Sequence, residues 1–184
     1  MDKIYTSTLI RDLLYQIEGR PLRSDLEETP DRVVRALEEM LDGYNVNVED
    51  LFKVSDGEGH DQIVAVRDIE SWSFCQHHLL PFRCLIHVAY LPDERVIGIS
   101  KIVRLCHAFT HRLQLQERIA RQIADAMMTY LEPKGVAVII KGEHLCMRAR
   151  GVKSSTSQFV NSIMLGAFRD NPATRMEVLS LLKE

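Results

Sequence analysis

Residues 136–150 read VAVIIKGEHLCMRAR. The first six, Val136 to Lys141, form a short apolar run rich in β-branched residues, the pattern of a buried strand. Gly142 suits a tight turn. The remainder, Glu143 to Arg150, is half polar and reads as a second strand paired with the first. On such a strand residues two apart share a face, so His144, Cys146, Arg148 and Arg150 would point one way and Leu145 and Met147 into the core. A His and a Cys on the polar face of a strand are poorly explained by packing.

Working outward, two helical runs precede this stretch. One carries Val103, Cys106, Phe109 and Leu113, with Ser100 suited to cap it; the other carries Ile119, Ile123, Met127 and Tyr130. Before them, residues 62–69 (QIVAVRDI) and 84–91 (CLIHVAYL) read as strands, and 96–99 as a short extended piece. Residues 158–168 alternate loosely enough for a further strand, and Asn171-Pro172 opens a short C-terminal helix. Residues 4–18 place Leu9, Ile10, Leu13, Leu14 and Ile17 at helical spacing. A second N-terminal helix has Thr29 as N-cap, Pro30 at its first position and Gly43 as its stop. The order strands, two helices, strands implies an α+β fold with a mostly antiparallel sheet. The expected division is an N-terminal helical region, 1–60, and a catalytic domain, 61–184.

The bulk properties narrow the class. A hydrophobic share of 46% with 27% charged residues is a globular balance that argues against disorder. A net charge of -3 gives no reason to expect nucleic acid as a partner. The N-terminus carries charges throughout its apolar pattern, unlike a signal peptide, and no uncharged run is long enough to span a bilayer. Four cysteines, Cys75, Cys84, Cys106 and Cys146, are few for a disulfide scaffold. They point to a reducing cytoplasm with thiols free for metal.

Cys75-x-x-His78 has chelate spacing, set against the plain alternative of a packed Cys and a hydrogen-bonded core His. Joined with His144 and Cys146 it would make a Cys2His or a Cys2His2 site. Three protein ligands leave a catalytic position open and four close a structural site; zinc is the ion such donors favour. Cys84 and Cys106 read as core. Ser100, Lys101 and Arg104 stand where a helix begins, either a phosphate cradle or a capped surface helix. Gln116 and Glu117 lie at the break between the two helices, where a carboxylate and an amide could read an amide-like edge or simply be solvated.

Together these pieces resemble GTP cyclohydrolase I. The match runs through Glu28-Thr29-Pro30-Asp31-Arg32, Cys75-Gln76-His77-His78-Leu79-Leu80-Pro81-Phe82, His87-Val88-Ala89-Tyr90, Gly98-Ile99-Ser100-Lys101, Gln114-Leu115-Gln116-Glu117-Arg118, His144-Leu145-Cys146-Met147 with Arg150-Gly151, and Gly166-Ala167-Phe168. The resemblance implies the tunnelling fold, in which subunits close a β-barrel ring and two pentamers stack into a decamer. It implies conversion of GTP and water to 7,8-dihydroneopterin triphosphate and formate, at the head of folate, biopterin and some deazapurine pathways. It puts one zinc ion per subunit on Cys75, His78 and Cys146, and acid–base work on His77 and His144. The guanine-reading pair falls on Gln116 and Glu117. Triphosphate contacts fall on Ser100, Lys101, Arg104 and Arg150, with Arg32 and Arg35 near further contacts from a neighbouring subunit. Gln76 departs from a common Glu and Cys84 from a common Gly. The competing readings are a non-catalytic relative with structural zinc, a relative acting on another purine or pterin (including the fold's nitrile reductase, which lacks this triad), and an anion-binding scaffold.

Overall fold

The computed structural model describes residues 1–183. The chain divides into two compact units, Met1–Asp42 and Gly43–Glu184.

The first unit is a helix pair. Helix α1, Lys3–Glu18, is capped by Asp2, whose carboxylate accepts from the Tyr5 N–H at 3.0 Å, and it stops at Gly19. Helix α2 is Thr29–Met40, with Pro30 in its first turn where a missing N–H costs nothing. The cap position is Glu28, without a side-chain bond, so Thr29 lies inside the helix rather than capping it. Polar bonds tie the two helices: Ser7 donates to Asp31 at 2.7 Å and Arg11 to Glu27 at 3.0 Å. No residue of α1 is buried, and Ile4, Leu9, Leu13 and Ile17 are all exposed.

The second unit is built on a five-stranded sheet of order β5-β2-β3-β6-β7. Strand β1 is Val54–Asp56, β2 Val64–Cys75, β3 Pro81–Leu91, β4 Arg95–Ile97, β5 Leu113–Gln114, β6 Gly135–His144 and β7 Phe159–Gly166. The neighbours β2, β3, β6 and β7 are antiparallel, β5 runs parallel to β2, and β1 and β4 form a separate ribbon. Helices α3, Ile99–Thr110, and α4, Gln116–Tyr130, lie in chain order between the strands. Their apolar stripes, among them Ile102, Leu105, Ile119, Ile123 and Met127, share one core with Phe82, Ile86, Val88 and Val138 of the sheet. A second, smaller cluster joins Ala89, Ala137 and Met164 to Phe168 of α6, Ala167–Asp170, and Val178 of α7, Pro172–Leu181. The α+β reading with a mostly antiparallel sheet holds. Among the described residues no helix is long and apolar enough to cross a membrane.

Five local readings are corrected. Strand β2 runs past residue 69 to Cys75, because two inward polar residues are satisfied. Ser71 shares a 2.6 Å hydrogen bond with Thr110, and Ser73 donates to the Arg112 carbonyl at 3.1 Å. Gly142 is no turn: β6 passes straight through it, pairing it with Cys84 on one side and Phe159 on the other. The segment after His144 is not a strand but one helical turn, α5, Leu145–Arg148, so Cys146 and Arg148 do not share a strand face with His144. Ser100 sits within the first turn of α3 while Gly98 holds the cap position; no side chain caps that end. Likewise α2 ends at Met40, and Gly43 follows in a 3-10 turn where a Cβ would meet the Ala108 carbonyl oxygen at 2.6 Å.

Candidate metal and acid–base centre

Cys75 is the last residue of β2, and the chain turns tightly after it. The Cys75 carbonyl accepts from the His78 and Leu79 N–H groups at 3.2 and 2.9 Å, and the Leu80 carbonyl accepts from the Cys75 N–H at 2.9 Å. Leu79 takes φ 53°, the left-handed bend that closes the loop into β3. This turn swings His78 back over Cys75, with Nδ1 at 3.7 Å from Sγ. Cys146 arrives from α5, beyond the end of β6. Ligand atoms of Cys75, His78 and Cys146 all lie within 4.8 Å of one another. Tetrahedral zinc with a thiolate and an imidazole has a sulfur–nitrogen edge of about 3.5 Å, from bond lengths of about 2.3 and 2.0 Å. The donor set and its spacing therefore fit zinc. Burial first, then the neighbouring Cys75 thiol, pushes the Cys146 thiol above its ordinary range.

The other candidates divide clearly. His77 is exposed, with Nδ1 at 3.9 Å from Cys75 Sγ, but it does not join the group of three. His144, the last residue of β6, stacks on Phe82 with ring centroids 4.2 Å apart at 9°, and meets Phe159 edge-on at 6.0 Å. Burial lowers its pKa, and the nearby Glu117 carboxylate opposes that shift. Glu117 is exposed while Gln116 is 1% exposed. The Gln116 carboxamide is spent inside the fold. The two N–H donors of its Nε2 face three acceptors, the Ile140 and Phe159 carbonyls, each at 3.0 Å, and Asn161 Oδ1 at 2.7 Å; its Oε1 lies 3.0 Å from His144 Nε2. Gln114, also buried, donates to the Phe109 carbonyl and to Gln122. Arg150 Nη1 is 3.0 Å from His78 Nε2, and Arg148 pairs with Glu143 at 2.9 Å. Gln76 accepts from Arg118 at 2.9 Å.

Ser100 and Lys101 are not brought to this centre within one chain. Helix α3 starts beside the far end of β3, where the Ile97 N–H donates to the Tyr90 hydroxyl at 3.3 Å. Phe82, which stacks on His144, is near the other end of the same strand. The strand between Phe82 and Tyr90 spans ~27 Å at ~3.4 Å per residue. Arg104 stands one turn further along α3, exposed. Arg32 and Arg35 are exposed on α2 in the first unit, Arg32 paired with Glu28 at 2.7 Å. Sequence reasoning missed the clamp of Phe82 and Phe159 on His144 and the part played by Gly142 and Asn161.

The model of the GTP cyclohydrolase I family matches residues 6–183. The chain belongs to the GTP cyclohydrolase I family. Its relatives in that family include GTP cyclohydrolase 1 of Synechococcus sp. (strain JA-3-3Ab), 48% identical over 95% of this chain and 76% of that protein. GTP cyclohydrolase 1 of Caldanaerobacter subterraneus subsp. tengcongensis is 44% identical over 99% of this chain and 97% of its own length. The Coxiella burnetii (strain RSA 493 / Nine Mile phase I) protein of the same name is 44% identical over 95% and 96%. Among solved chains, an archaeosine synthase QueF-Like in the apo form aligns with a TM-score of 0.48 and 16% identity over 56% of this chain and 93% of that one, too slight a likeness to bear on fold or function. The helices and mostly antiparallel sheet described above are consistent with the tunnelling fold of the GTP cyclohydrolase I family.

Proposed function

We propose that this protein is a zinc-dependent GTP cyclohydrolase I that converts GTP and water to 7,8-dihydroneopterin triphosphate and formate. The observation that carries this is the convergence of Cys75, His78 and Cys146 beside His77, His144 and Glu117. A structural zinc site needs none of the last three.

Cys75, His78 and Cys146 would hold the ion. When bound, zinc supplies a Lewis acid with an open position at which water becomes nucleophilic near neutral pH. His144 carries protons to and from the ring nitrogen as the imidazole ring of guanine opens at C8, and His77 assists at hydrolysis. Stacking on Phe82, with Phe159 edge-on, limits the His144 ring to one plane. Glu117 accepts the N–H edge of guanine; adenine would leave that carboxylate unpaired. A His78 that commits Nδ1 to a metal carries its proton on Nε2 and no longer accepts from Arg150. That guanidinium is then free for triphosphate.

Ser100, Lys101 and Arg104 serve as further phosphate contacts only if another copy supplies them, since they begin ~27 Å of strand away. The reading therefore includes an oligomer, a decamer by family likeness, with sites shared between copies and Arg32 and Arg35 contributed from a neighbour. The test is GTP turnover with and without a zinc chelator, reading formate and the oxidised pterin's fluorescence together. Chelation is expected to abolish both signals and added zinc to restore them. Undiminished turnover after complete removal of metal sinks the proposal.

A further inference from the structure

The Gln116 carboxamide is held at four points, and the identity of its partners fixes which way round it lies. Two of them, the Ile140 and Phe159 carbonyl oxygens, can only accept. Nitrogen must therefore face them. Turning the amide over would set its oxygen against two carbonyl oxygens and the Asn161 Oδ1, acceptors facing an acceptor, and would lose every hydrogen bond that the nitrogen makes there. With Nε2 so committed, Oε1 is the atom that faces His144 Nε2 at 3.0 Å, and an amide oxygen only accepts. His144 must be the donor.

We infer that Gln116 is a positioning residue that holds the neutral His144 ring in the Nε2–H tautomer, leaving Nδ1 as the nitrogen that meets substrate. Nδ1 has no partner among the described residues. The Phe82 and Phe159 rings set the plane of the imidazole, and Gln116 sets which edge of it points inward.

Gly142 belongs to the same device. A Cβ there would lie 1.8 Å from Gln116 Oε1, 2.8 Å from its Cδ and 3.2 Å from His144 Nε2. No other residue at 142 leaves the carboxamide where it is. Asn161 of β7 completes the set by drawing Nε2 toward itself at 2.7 Å. Three elements, α4, β6 and β7, thus converge on one side-chain amide. The base-reading role that the family likeness gives to the pair 116–117 then rests on Glu117, which is exposed, while Gln116 acts through His144.

This inference deepens the proposed function and rests on it for the word substrate; its first test does not. Protein labelled with 15N-histidine is examined at a pH well above the ordinary imidazole range, the His144 signals being assigned by their loss in His144→Gln. The unmodified protein should show a pyrrole-type Nε2, hydrogen-bonded, and a pyridine-type Nδ1. A protonated Nδ1, or an averaged pair, overturns the inference whatever the turnover. A single Nε2–H form without GTP turnover would refute the reaction and leave the positioning intact.

Two variants reach the amide by different routes. Gln116→Met removes the acceptor at similar volume, and Gly142→Ala displaces it without removing any polar group. Both should show the averaged tautomer signal and a kcat lower by about 10²-fold, the lower bound of what a positioned acid–base group contributes, with KM for GTP little changed. A raised KM at unchanged kcat would mean that Gln116 reads the base directly, and would overturn the inference. Should Gln116→Met not fold, the unmodified protein's spectrum still decides.

Discussion

At its first residue β6 is crowded by main chain; at its eighth it is crowded by a side chain. A Cβ on Gly135 would lie 3.1 Å from the Ala167 and Phe168 nitrogens and the Leu165 carbonyl oxygen, and one on the neighbouring Gly166 only 2.2 Å from the Lys134 carbonyl oxygen. At the Gly142 end the intruder is the Gln116 carboxamide. Close approach of backbones locks the β6–β7 ladder to the C-terminal helices. Close approach of a side chain locks one imidazole. The same absence of a Cβ therefore serves stability at one end of the strand and chemistry at the other.

The largest effect that would sharpen this contrast lies just past the chemical end. Cys146→Ser should lose bound zinc and lower formate release by ~10³-fold or more, about 4 kcal/mol of transition-state stabilisation, while the fold melts where it did before. Retention of both metal and turnover would break the contrast outright. Next is Gly142→Ala, whose loss should fall on kcat and the His144 signature with metal content unchanged. Gly166→Ala should do the reverse. Its φ of 56° and the Lys134 carbonyl oppose any side chain, so about 1–3 kcal/mol of stability goes, a fall of about 2–4 °C in Tm per kcal/mol, with zinc and the tautomer untouched. If it instead emptied the metal site, the two ends would not be separate.

How much of this could be read beforehand follows the physics of each residue. The helices α3 and α4 declared themselves through apolar stripes, and Cys75-x-x-His78 through chelate spacing. Strand β2 hid its last six residues because Ser71 and Ser73 point inward and are satisfied by Thr110 and Arg112, partners distant in sequence. Gly142 looked like a turn because its actual reason, the Gln116 oxygen, arrives from another element. Gln116 itself, polar and at a helix start, looked solvated. The stretch after His144 is short and half polar, compatible with a strand or a helical turn, and tertiary placement chose the turn. The metal triad was named through the family likeness, and the fold brings its three donors within 4.8 Å of one another.

The smallest effect concerns the two thiols outside the centre. Burial pushes Cys84 up to about 12 and Cys106 higher still. A raised thiol pKa means less thiolate at any given pH, so at about pH 8 only ~10⁻⁴ of Cys84 is ionised. In chelator-treated folded protein, Cys146 should take up an alkylating reagent and Cys84 and Cys106 should not, as mass spectrometry of the digested protein would show. Labelling of Cys84 at the rate of Cys146 would mean that the core opens as readily as the site.

The distance from Lys101 to the metal-side residues has a genetic consequence. If phosphate is gripped by one copy and the ring opened by another, then Lys101→Ala and Cys146→Ser are defects in different halves of a shared machine. Either variant alone should be inactive. Assembled together at random, they should recover turnover at about a quarter of the sites, wherever an intact Lys101 from one chain meets an intact Cys146 from its neighbour. Two inactive alleles would complement one another.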